Sequence, residues 1–277
     1  MRIPVPRRLP RPVRSRPAWL AIIAASALVL PFALAPAASA SSVNYVALGD
    51  SYSSGVGAGS YTSSSGSCDR STNAYSQVWA NANAPASYVS VACSGATTST
   101  VISSQLSALS ASTTLVSITV GGNDIGFASV METCVLEGWD CASAVGNADS
   151  EAENQLPGEL NSVLADIKAD APNARVVVLD YPELYDLSKS SGCIGLSTSN
   201  RTALNQGAQI LDSEIQAAAG RYGDVFADAA GQFAGHEICD SSSWLHSVNV
   251  LDIDESYHPT AAGQADGYLP AFTAAAG

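Results

Sequence analysis

The fold is decided by residues 45–55, which read YVALGDSYSSG. The apolar run at 45–48 predicts a buried strand, and this run stops abruptly at Gly49-Asp50-Ser51. The pattern predicts a tight turn that holds the Ser51 hydroxyl at the carboxyl end of a strand, where open α/β sheets bind their ligands. An ordinary strand-to-loop turn is the alternative, because Gly, Asp and Ser are all common turn residues.

The rest of the chain alternates predicted strands and helices. Apolar and β-branched runs predict further strands at 88–92, 114–120, 175–180 and 225–228. Helices are expected at 73–80, 98–110, 151–169, 200–219 and 259–275, and an irregular segment at 125–150. The nearly continuous apolar strands indicate a parallel sheet that is covered on both faces. We therefore expect a three-layer α/β fold with a flavodoxin-like, doubly wound sheet, in a single domain at 41–277.

Residues 1–40 have the pattern of a secretory signal peptide. They contain six Arg and no acidic residue, then an apolar stretch at 18–35, and they end in Ala38-Ser39-Ala40. This arrangement predicts export and cleavage after Ala40. A membrane-spanning anchor is the alternative for an apolar run of this length. Pro31, Pro36 and the small-residue cleavage motif argue against an anchor.

The charge of the exported part excludes some classes of partner. The whole chain has 12 basic and 25 acidic side chains, and removal of residues 1–40 takes away six Arg and no acid. The remaining net charge of −19 repels nucleic acid and anionic membrane surfaces and keeps an exported protein soluble. We expect that the protein does not bind nucleic acid, has no stable membrane anchor and is a monomer.

The six cysteines suggest disulfides, because their number is even and the chain is exported. Fifteen pairings of six cysteines are possible. We favour sequential pairing, because each bridge then closes one loop region: Cys68–Cys93, Cys134–Cys141 and Cys193–Cys239. The sequence has no C-x-x-C motif and three His, so a zinc site is not expected, and no other metal or cofactor is predicted.

Small polar clusters follow three of the predicted strands, and a fourth cluster lies near the carboxyl terminus. In a parallel sheet these segments meet at one edge. Acyl transfer needs a nucleophile, a base and donors that face the oxyanion. Ser51 can attack and His258 can accept its proton. The backbone amides of Ser51 and Gly95 and the side chain of Asn123 can then donate to the oxyanion.

These segments resemble the four sequence blocks of the SGNH (GDSL) hydrolases, a family named for its Ser, Gly, Asn and His. Residues 49–55 match the first block, Gly95 the second, residues 121–124 the third and His258-Pro259 the last. The blocks occur in the family's order over nearly the whole exported chain. With six cysteines, the chain looks most like the secreted lipases and esterases of actinobacteria, and the resemblance implies the SGNH hydrolase fold.

The sequence departs from the family pattern at the acid of the catalytic triad. The family usually has Asp three residues before its His, and Glu255 occupies this position here. A Glu can orient an imidazole and stabilise its cation, so we expect Glu255 to be the third catalytic residue. A backbone carbonyl near this position is the alternative, as in some relatives, and Asp254 fits less well because it lies four residues before His258.

Together these features predict a secreted serine hydrolase that cleaves carboxylic esters through an acyl-enzyme on Ser51. The substrate is expected to be a small or lipid ester, and the resemblance favours lipid or fatty-acyl esters. A carbohydrate or short-chain acetylesterase would have the same catalytic blocks. A non-catalytic secreted binding module on the same fold is an alternative of a different class, because a fold does not determine a function.

Overall fold

A sheet of parallel strands forms the centre of the fold, in a computed structural model that describes residues 43–137, 139–189, 193 and 195–277. The strands are β1 (Asn44–Gly49), β2 (Ser87–Ser90), β3 (Leu115–Thr119), β4 (Arg175–Leu179) and β5 (Val225–Ala227). Their order in the sheet is β2-β1-β3-β4-β5. This is the flavodoxin-like order, so the predicted fold class is confirmed. The predicted signal peptide at 1–40 lies outside the described residues.

Helices cover both faces of the sheet. They are α1 (Ser51–Ser54), α2 (Tyr75–Asn83), α3 (Thr98–Thr100), α4 (Phe127–Leu136), α5 (Cys141–Asn154), α6 (Leu156–Asp170), α7 (Thr198–Tyr222) and α8 (Leu269–Ala276). The backbone remains helical after α3 as a π-turn and a 3₁₀ turn as far as Ala108. Helix α8 packs on α2, β4 and β5, and α7 packs on α5 and α6. Within the described part of the chain, no helix is both long and apolar enough to cross a membrane.

An aromatic cluster joins β1 to helices α2 and α8. The ring of Tyr45 stacks on Phe272 at a centroid distance of 5.3 Å and meets the edge of Trp79 at 5.4 Å. All three side chains are buried, and the Tyr45 hydroxyl forms a 2.7 Å hydrogen bond with Ser117 Oγ of β3. The cluster therefore buries large apolar rings without leaving the Tyr45 hydroxyl unsatisfied, and it fixes β1 between its neighbours.

The expectation of an irregular segment at 125–150 is wrong, because this segment contains α4 and most of α5. The face that α5 buries consists of Cys141, Val145, Ala148 and Ala152. These residues have helical spacing, but three of them are small, so the apolar pattern is weak in the sequence. The helix that was expected at 151–169 is divided, since α5 ends at Asn154 and α6 begins at Leu156.

In the structure the six cysteines are joined in sequential order. Bridges join Cys68 to Cys93, Cys134 to Cys141 and Cys193 to Cys239. The first closes the loop that precedes Gly95, and the second closes the short connection between α4 and α5. The third joins Cys193, which precedes α7, to a loop that follows β5. Each bridge restrains loops around a core that the sheet and helices already form.

Candidate active site

The turn that carries Ser51 connects β1 to α1. Gly49 has a φ of +119°, and a Cβ at this position would lie 2.4 Å from the carbonyl oxygen of Thr119 on β3. Only glycine fits this turn. Asp50 then caps the short helix, because its carboxylate accepts a 3.0 Å hydrogen bond from the Tyr52 amide. Ser51 is the first helical residue, so its position follows from the end of β1.

A buried glutamine forms two hydrogen bonds with the backbone of Gly49. The Gln105 side chain accepts a 2.8 Å hydrogen bond from the Gly49 amide and donates a 2.9 Å bond to the Gly49 carbonyl. Gln105 is almost completely buried, so both halves of its amide are satisfied by the same residue. The turn is therefore fixed two residues before Ser51 by a contact that the sequence analysis did not predict.

The Asp50 carboxylate links the Ser51 turn to two other strands. Its Oδ1 accepts a 2.6 Å hydrogen bond from the Thr119 hydroxyl, and its Oδ2 accepts one from the Tyr181 hydroxyl. Burial raises the pKa of Asp50 to about 6, although these donors act in the opposite direction. The Gly122 amide donates to the same Tyr181 hydroxyl at 3.4 Å. Tyr181 thus connects the first sequence block to the third, and its place just after β4 was the available signal.

His258 lies beside Ser51 with both ring nitrogens in hydrogen bonds. The distance between His258 Nε2 and Ser51 Oγ is 2.8 Å, and the distance between His258 Nδ1 and the Ser256 carbonyl oxygen is 3.0 Å. A carbonyl can only accept, so Nδ1 carries the proton and Nε2 has a free lone pair that faces the Ser51 hydroxyl. This arrangement allows Nε2 to take the proton of Ser51.

The surroundings of His258 keep the imidazole neutral. Burial, together with the nearby His246, lowers the pKa of His258 to about 4. The Ser256 carbonyl and the negative charge of Asp254 act in the opposite direction but do not restore the ordinary value. At neutral pH the ring is therefore unprotonated and can act as a base.

The expected contact between the Glu255 carboxylate and the His258 imidazole is not formed in the structure. The Glu255 carboxylate instead accepts hydrogen bonds from the Tyr61 hydroxyl at 2.7 Å and from Asn249 Nδ2 at 3.2 Å. Residues 253–255 form a 3₁₀ turn, and the chain then brings the Ser256 carbonyl to the imidazole. The prediction that Glu255 orients His258 is therefore corrected, and the carbonyl alternative describes the geometry.

A surface cleft opens beside Ser51 and His258, and the residues expected to bind the oxyanion lie around it. Its lining includes Ser51, Gly95, Asn123 and His258. Gly95 has a φ of +77° in the loop after β2, and no atom lies within 4 Å of the position that a Cβ would take. Asn123 Nδ2 donates a 3.1 Å hydrogen bond to the Ala96 carbonyl. An amide nitrogen has two protons, so this bond orients Asn123 and leaves one proton for a ligand.

Asp124 ties the second and third sequence blocks together. Its carboxylate accepts hydrogen bonds from the Thr98 hydroxyl at 2.7 Å and from the Thr98 amide at 3.0 Å. Burial raises the pKa of Asp124, and the bonds from Thr98 act against this shift. Because Thr98 follows Gly95 by three residues, the contact keeps Gly95 and Asn123 in register.

The other two histidines have structural contacts. His236 stacks on Trp244 with a centroid distance of 3.6 Å, and its Nδ1 contacts the Ser242 carbonyl at 2.8 Å. His246 Nε2 lies 2.8 Å from the Gly57 carbonyl oxygen. In the residues that the structure describes, no group of His, Cys, Asp or Glu side chains is arranged to hold a metal ion.

The chain is similar to known lipases over most of its length. The profile of the GDSL-like Lipase/Acylhydrolase family matches residues 47–265. Lipase 1 of Streptomyces coelicolor is 51% identical over 257 residues, which cover 92% of this chain and 95% of that protein. The crystal structure of phospholipase A1 from Streptomyces albidoflavus NA297 has 53% identity and a TM-score of 0.82, covering 84% of this chain and 99% of that one.

The crystal structure of an extracellular lipase from Streptomyces rimosus gives the same TM-score of 0.82 at 47% identity, and it covers 84% of this chain and 99% of that chain. Profile, sequence and structure thus agree with the resemblance that the four blocks indicated. The chain belongs to the GDSL-like lipase/acylhydrolase family and is a carboxylic ester hydrolase.

Proposed function

We propose that this protein hydrolyses fatty-acyl esters of lipids through an acyl-enzyme on Ser51. The observation that carries the proposal is the 2.8 Å contact between Ser51 Oγ and His258 Nε2, with His258 Nδ1 held by the Ser256 carbonyl. This is the geometry that a nucleophile and its general base require. Glu255 has no direct part in the proposed mechanism.

In the first half-reaction, Ser51 Oγ attacks the ester carbonyl carbon while His258 Nε2 takes the hydroxyl proton. The oxyanion of the tetrahedral intermediate accepts hydrogen bonds from the Ser51 amide, the Gly95 amide and the free proton of Asn123 Nδ2. The C–O bond to the alcohol then breaks, and His258 returns the proton to the departing alkoxide. The acyl group remains as an ester on Ser51.

In the second half-reaction, water takes the place of the alcohol. His258 Nε2 removes a proton from water, the resulting hydroxide attacks the acyl carbon, and the same three donors stabilise the oxyanion. Breaking the bond to Ser51 Oγ releases the carboxylic acid, and His258 returns the proton to Ser51. The Ser256 carbonyl keeps the proton on Nδ1 throughout, so Nε2 carries out every transfer.

A second cavity supports a fatty-acyl substrate. It begins at Ser51 and Asn123 and extends between α4, α5 and α7. Apolar side chains from these helices line it, including Val130, Val145, Ala148, Leu204 and Leu211. An alkyl chain attached to the reacting carbonyl would bury its methylene groups there, and each buried CH₂ contributes about 0.8 kcal/mol. An acetyl group would leave most of this cavity without a ligand.

The setting of this activity is proposed to be extracellular. Residues 1–40 act as a signal peptide that is removed after Ala40, and the folded part at 41–277 works as one domain and as a monomer. The three disulfides support this, because such bridges persist in oxidising compartments. A relative that is 47% identical is named an extracellular lipase.

A panel of p-nitrophenyl esters with increasing acyl length tests the substrate class. We expect kcat/KM to rise from the acetate to esters of about eight or more carbons, because the apolar cavity binds the longer chain. Ser51→Ala measures the background hydrolysis of each ester. Activity confined to the acetate would favour the acetylesterase alternative, and a folded protein without esterase activity would favour the binding module.

A further inference from the structure

The most exposed apolar side chains occur in two short segments. Among the large apolar residues that the structure describes, the five with the greatest exposure are Leu136, Trp139, Val250, Leu251 and Ile253, which are 64–95% exposed. Single exposed apolar residues are normal, but a group of them marks an interaction site. Trp139 and Leu251 are 85% and 95% exposed, so water surrounds almost the whole of both side chains.

Both segments border the catalytic cleft. Val135 and Leu136 line the cleft from the end of α4, and Val248 and Ile253 line it from the loop before His258. The same cleft contains Ser51. We call the seven side chains of the two segments the apolar rim: Val135, Leu136, Trp139, Val248, Val250, Leu251 and Ile253. Four of the seven side chains thus line the cleft where the ester reacts, and the other three lie on the same two segments.

Covalent and polar contacts fix both segments. The Cys134–Cys141 disulfide closes the segment that carries Trp139. In the second segment, Asn249 Oδ1 accepts hydrogen bonds from the amides of Leu251 at 3.1 Å and Asp252 at 3.3 Å. The Glu255 carboxylate binds Asn249 Nδ2, which anchors the base of the loop. These contacts hold the backbone in a shape that presents the apolar side chains to solvent.

The charges beside the rim indicate which surface it fits. Residues 132–141 contain Glu132, Glu137 and Asp140 and no basic residue, and residues 248–255 contain Asp252, Asp254 and Glu255 and no basic residue. An anionic lipid surface would repel these six acids. A zwitterionic surface has no such penalty and accepts apolar side chains, and Trp in particular favours the interface between lipid and water.

We propose that the apolar rim docks this protein on the surface of zwitterionic lipid aggregates, with the catalytic cleft facing the lipid. The proposal rests on the proposed function in that the substrate is a lipid ester. Docking places Ser51 over the aggregate, so a lipid reaches the cleft without first dissolving in water. The side chains that hold the protein on the surface are separate from those that cleave the ester.

The test uses the double variant Trp139→Ser/Leu251→Ser and the control Leu187→Ser. Leu187 is also exposed but does not line the cleft. Binding to phosphatidylcholine vesicles is measured by co-sedimentation in a Ser51→Ala background, which prevents hydrolysis of the vesicles. The same variants are also made with Ser51 intact. Their kcat/KM for the soluble ester p-nitrophenyl butyrate reports separately on folding and on the proposed chemistry.

We expect the double variant to bind phosphatidylcholine vesicles at least about tenfold more weakly than the parent, because two large apolar side chains no longer enter the lipid. Neither side chain lines the cleft, so hydrolysis of the soluble ester should stay within about twofold. The Leu187→Ser control should match the parent in both assays. Vesicles of phosphatidylglycerol should bind the parent more weakly than phosphatidylcholine vesicles do.

Three kinds of result would overturn the proposal. The first is a failed binding prediction, either because the parent does not bind phosphatidylcholine vesicles or because the double variant binds them equally well. The second is tighter binding to phosphatidylglycerol. The third is a dimer of the parent that the double variant loses, because the rim would then contact a second copy of this chain. Failure of the proposed function is recognised independently, as absent hydrolysis of the soluble ester.

Discussion

The contact between Ser51 Oγ and His258 Nε2 is the smallest part of the molecule that supports ester cleavage. The other imidazole nitrogen, Nδ1, donates to the Ser256 carbonyl and not to a carboxylate, which distinguishes this site. A carbonyl dipole fixes the tautomer as well as a carboxylate does, but it stabilises the imidazolium less because it carries no net charge. The pKa of His258, lowered to about 4 by burial, agrees with this environment.

Replacing Glu255 tests whether the carbonyl is sufficient. We expect Glu255→Gln to keep kcat for a soluble ester within about twofold of the parent, because the side chain contacts Tyr61 and Asn249 and not His258. Steady-state kinetics on p-nitrophenyl butyrate measures the effect. A loss of about 10⁴-fold, as expected for the acid of a triad, would restore the original assignment of Glu255.

Asn123 is the oxyanion donor whose loss is easiest to measure. We expect Asn123→Ala to lower kcat by about 10²–10³ with little change in KM, because its free Nδ2 proton binds the oxyanion and not the ground-state ester. Asn173→Ala is a matched control, since Asn173 also donates to a backbone carbonyl, that of Ala111, on an exposed part of the chain. An equal fall in both variants, or none in Asn123→Ala, would contradict the assignment.

At the scale of secondary-structure elements, the sequence predicted the strands, because their apolar pattern recurs along the chain. The apolar strands β1, β3 and β4 are evident from composition, and parallel strands must bring their carboxyl ends to one edge. Ser51, Gly95, Asn123 and His258 accordingly line one cleft. Contacts between residues far apart in the chain leave no pattern in the sequence, so the Gln105 bonds to Gly49 could not be predicted. Tyr181 follows a predicted strand directly, but nothing in the sequence identifies Asp50 as its partner.

Two further features could not be predicted from the sequence: the helix α5, and the use of the Ser256 carbonyl in place of the Glu255 carboxylate. The buried face of α5 is made mainly of Ala and Cys, so it lacks the large apolar residues that mark a helix. A backbone carbonyl has no sequence signature, because every residue has one. Glu255 carried the visible signal at the expected spacing, but the 3₁₀ turn at Ile253–Glu255 turns its side chain towards Tyr61.

The disulfide between α4 and α5 has a predicted role that is separate from catalysis. We expect Cys134→Ser/Cys141→Ser to lower the free energy of unfolding by about 2.5 kcal/mol, because the bridge closes a short loop. Urea unfolding measures this loss. Binding to phosphatidylcholine vesicles should weaken as the segment of Trp139 is released, whereas hydrolysis of p-nitrophenyl butyrate should remain.

The matched comparison is Cys68→Ser/Cys93→Ser. This bridge spans 25 residues, so its removal should cost about 3.5 kcal/mol of unfolding free energy. It also holds the loop next to Gly95, and soluble ester hydrolysis should fall with it. If removal of Cys134–Cys141 abolished hydrolysis of the soluble ester, that result would contradict the claim that docking and chemistry use separate side chains.

At the scale of the whole molecule, one chain supplies every group that the mechanism uses. These groups extend from Ser51 to His258 in sequence, and the sheet order β2-β1-β3-β4-β5 brings them together. With residues 1–40 removed as proposed, the net charge would be −19, which favours solubility. The apolar rim presents exposed apolar side chains beside the cleft. Charge and rim thus agree with the proposal of an exported enzyme that meets its substrate at a lipid surface.

The central claim is that Ser51 is the nucleophile, and mass spectrometry of the intact protein after treatment with a fluorophosphonate tests it most directly. We predict one adduct per chain, located by peptide mapping on Ser51, absent in Ser51→Ala and formed much more slowly in His258→Ala, because His258 takes the Ser51 proton. An adduct on another residue, or equal labelling of a folded Ser51→Ala variant, would contradict the account.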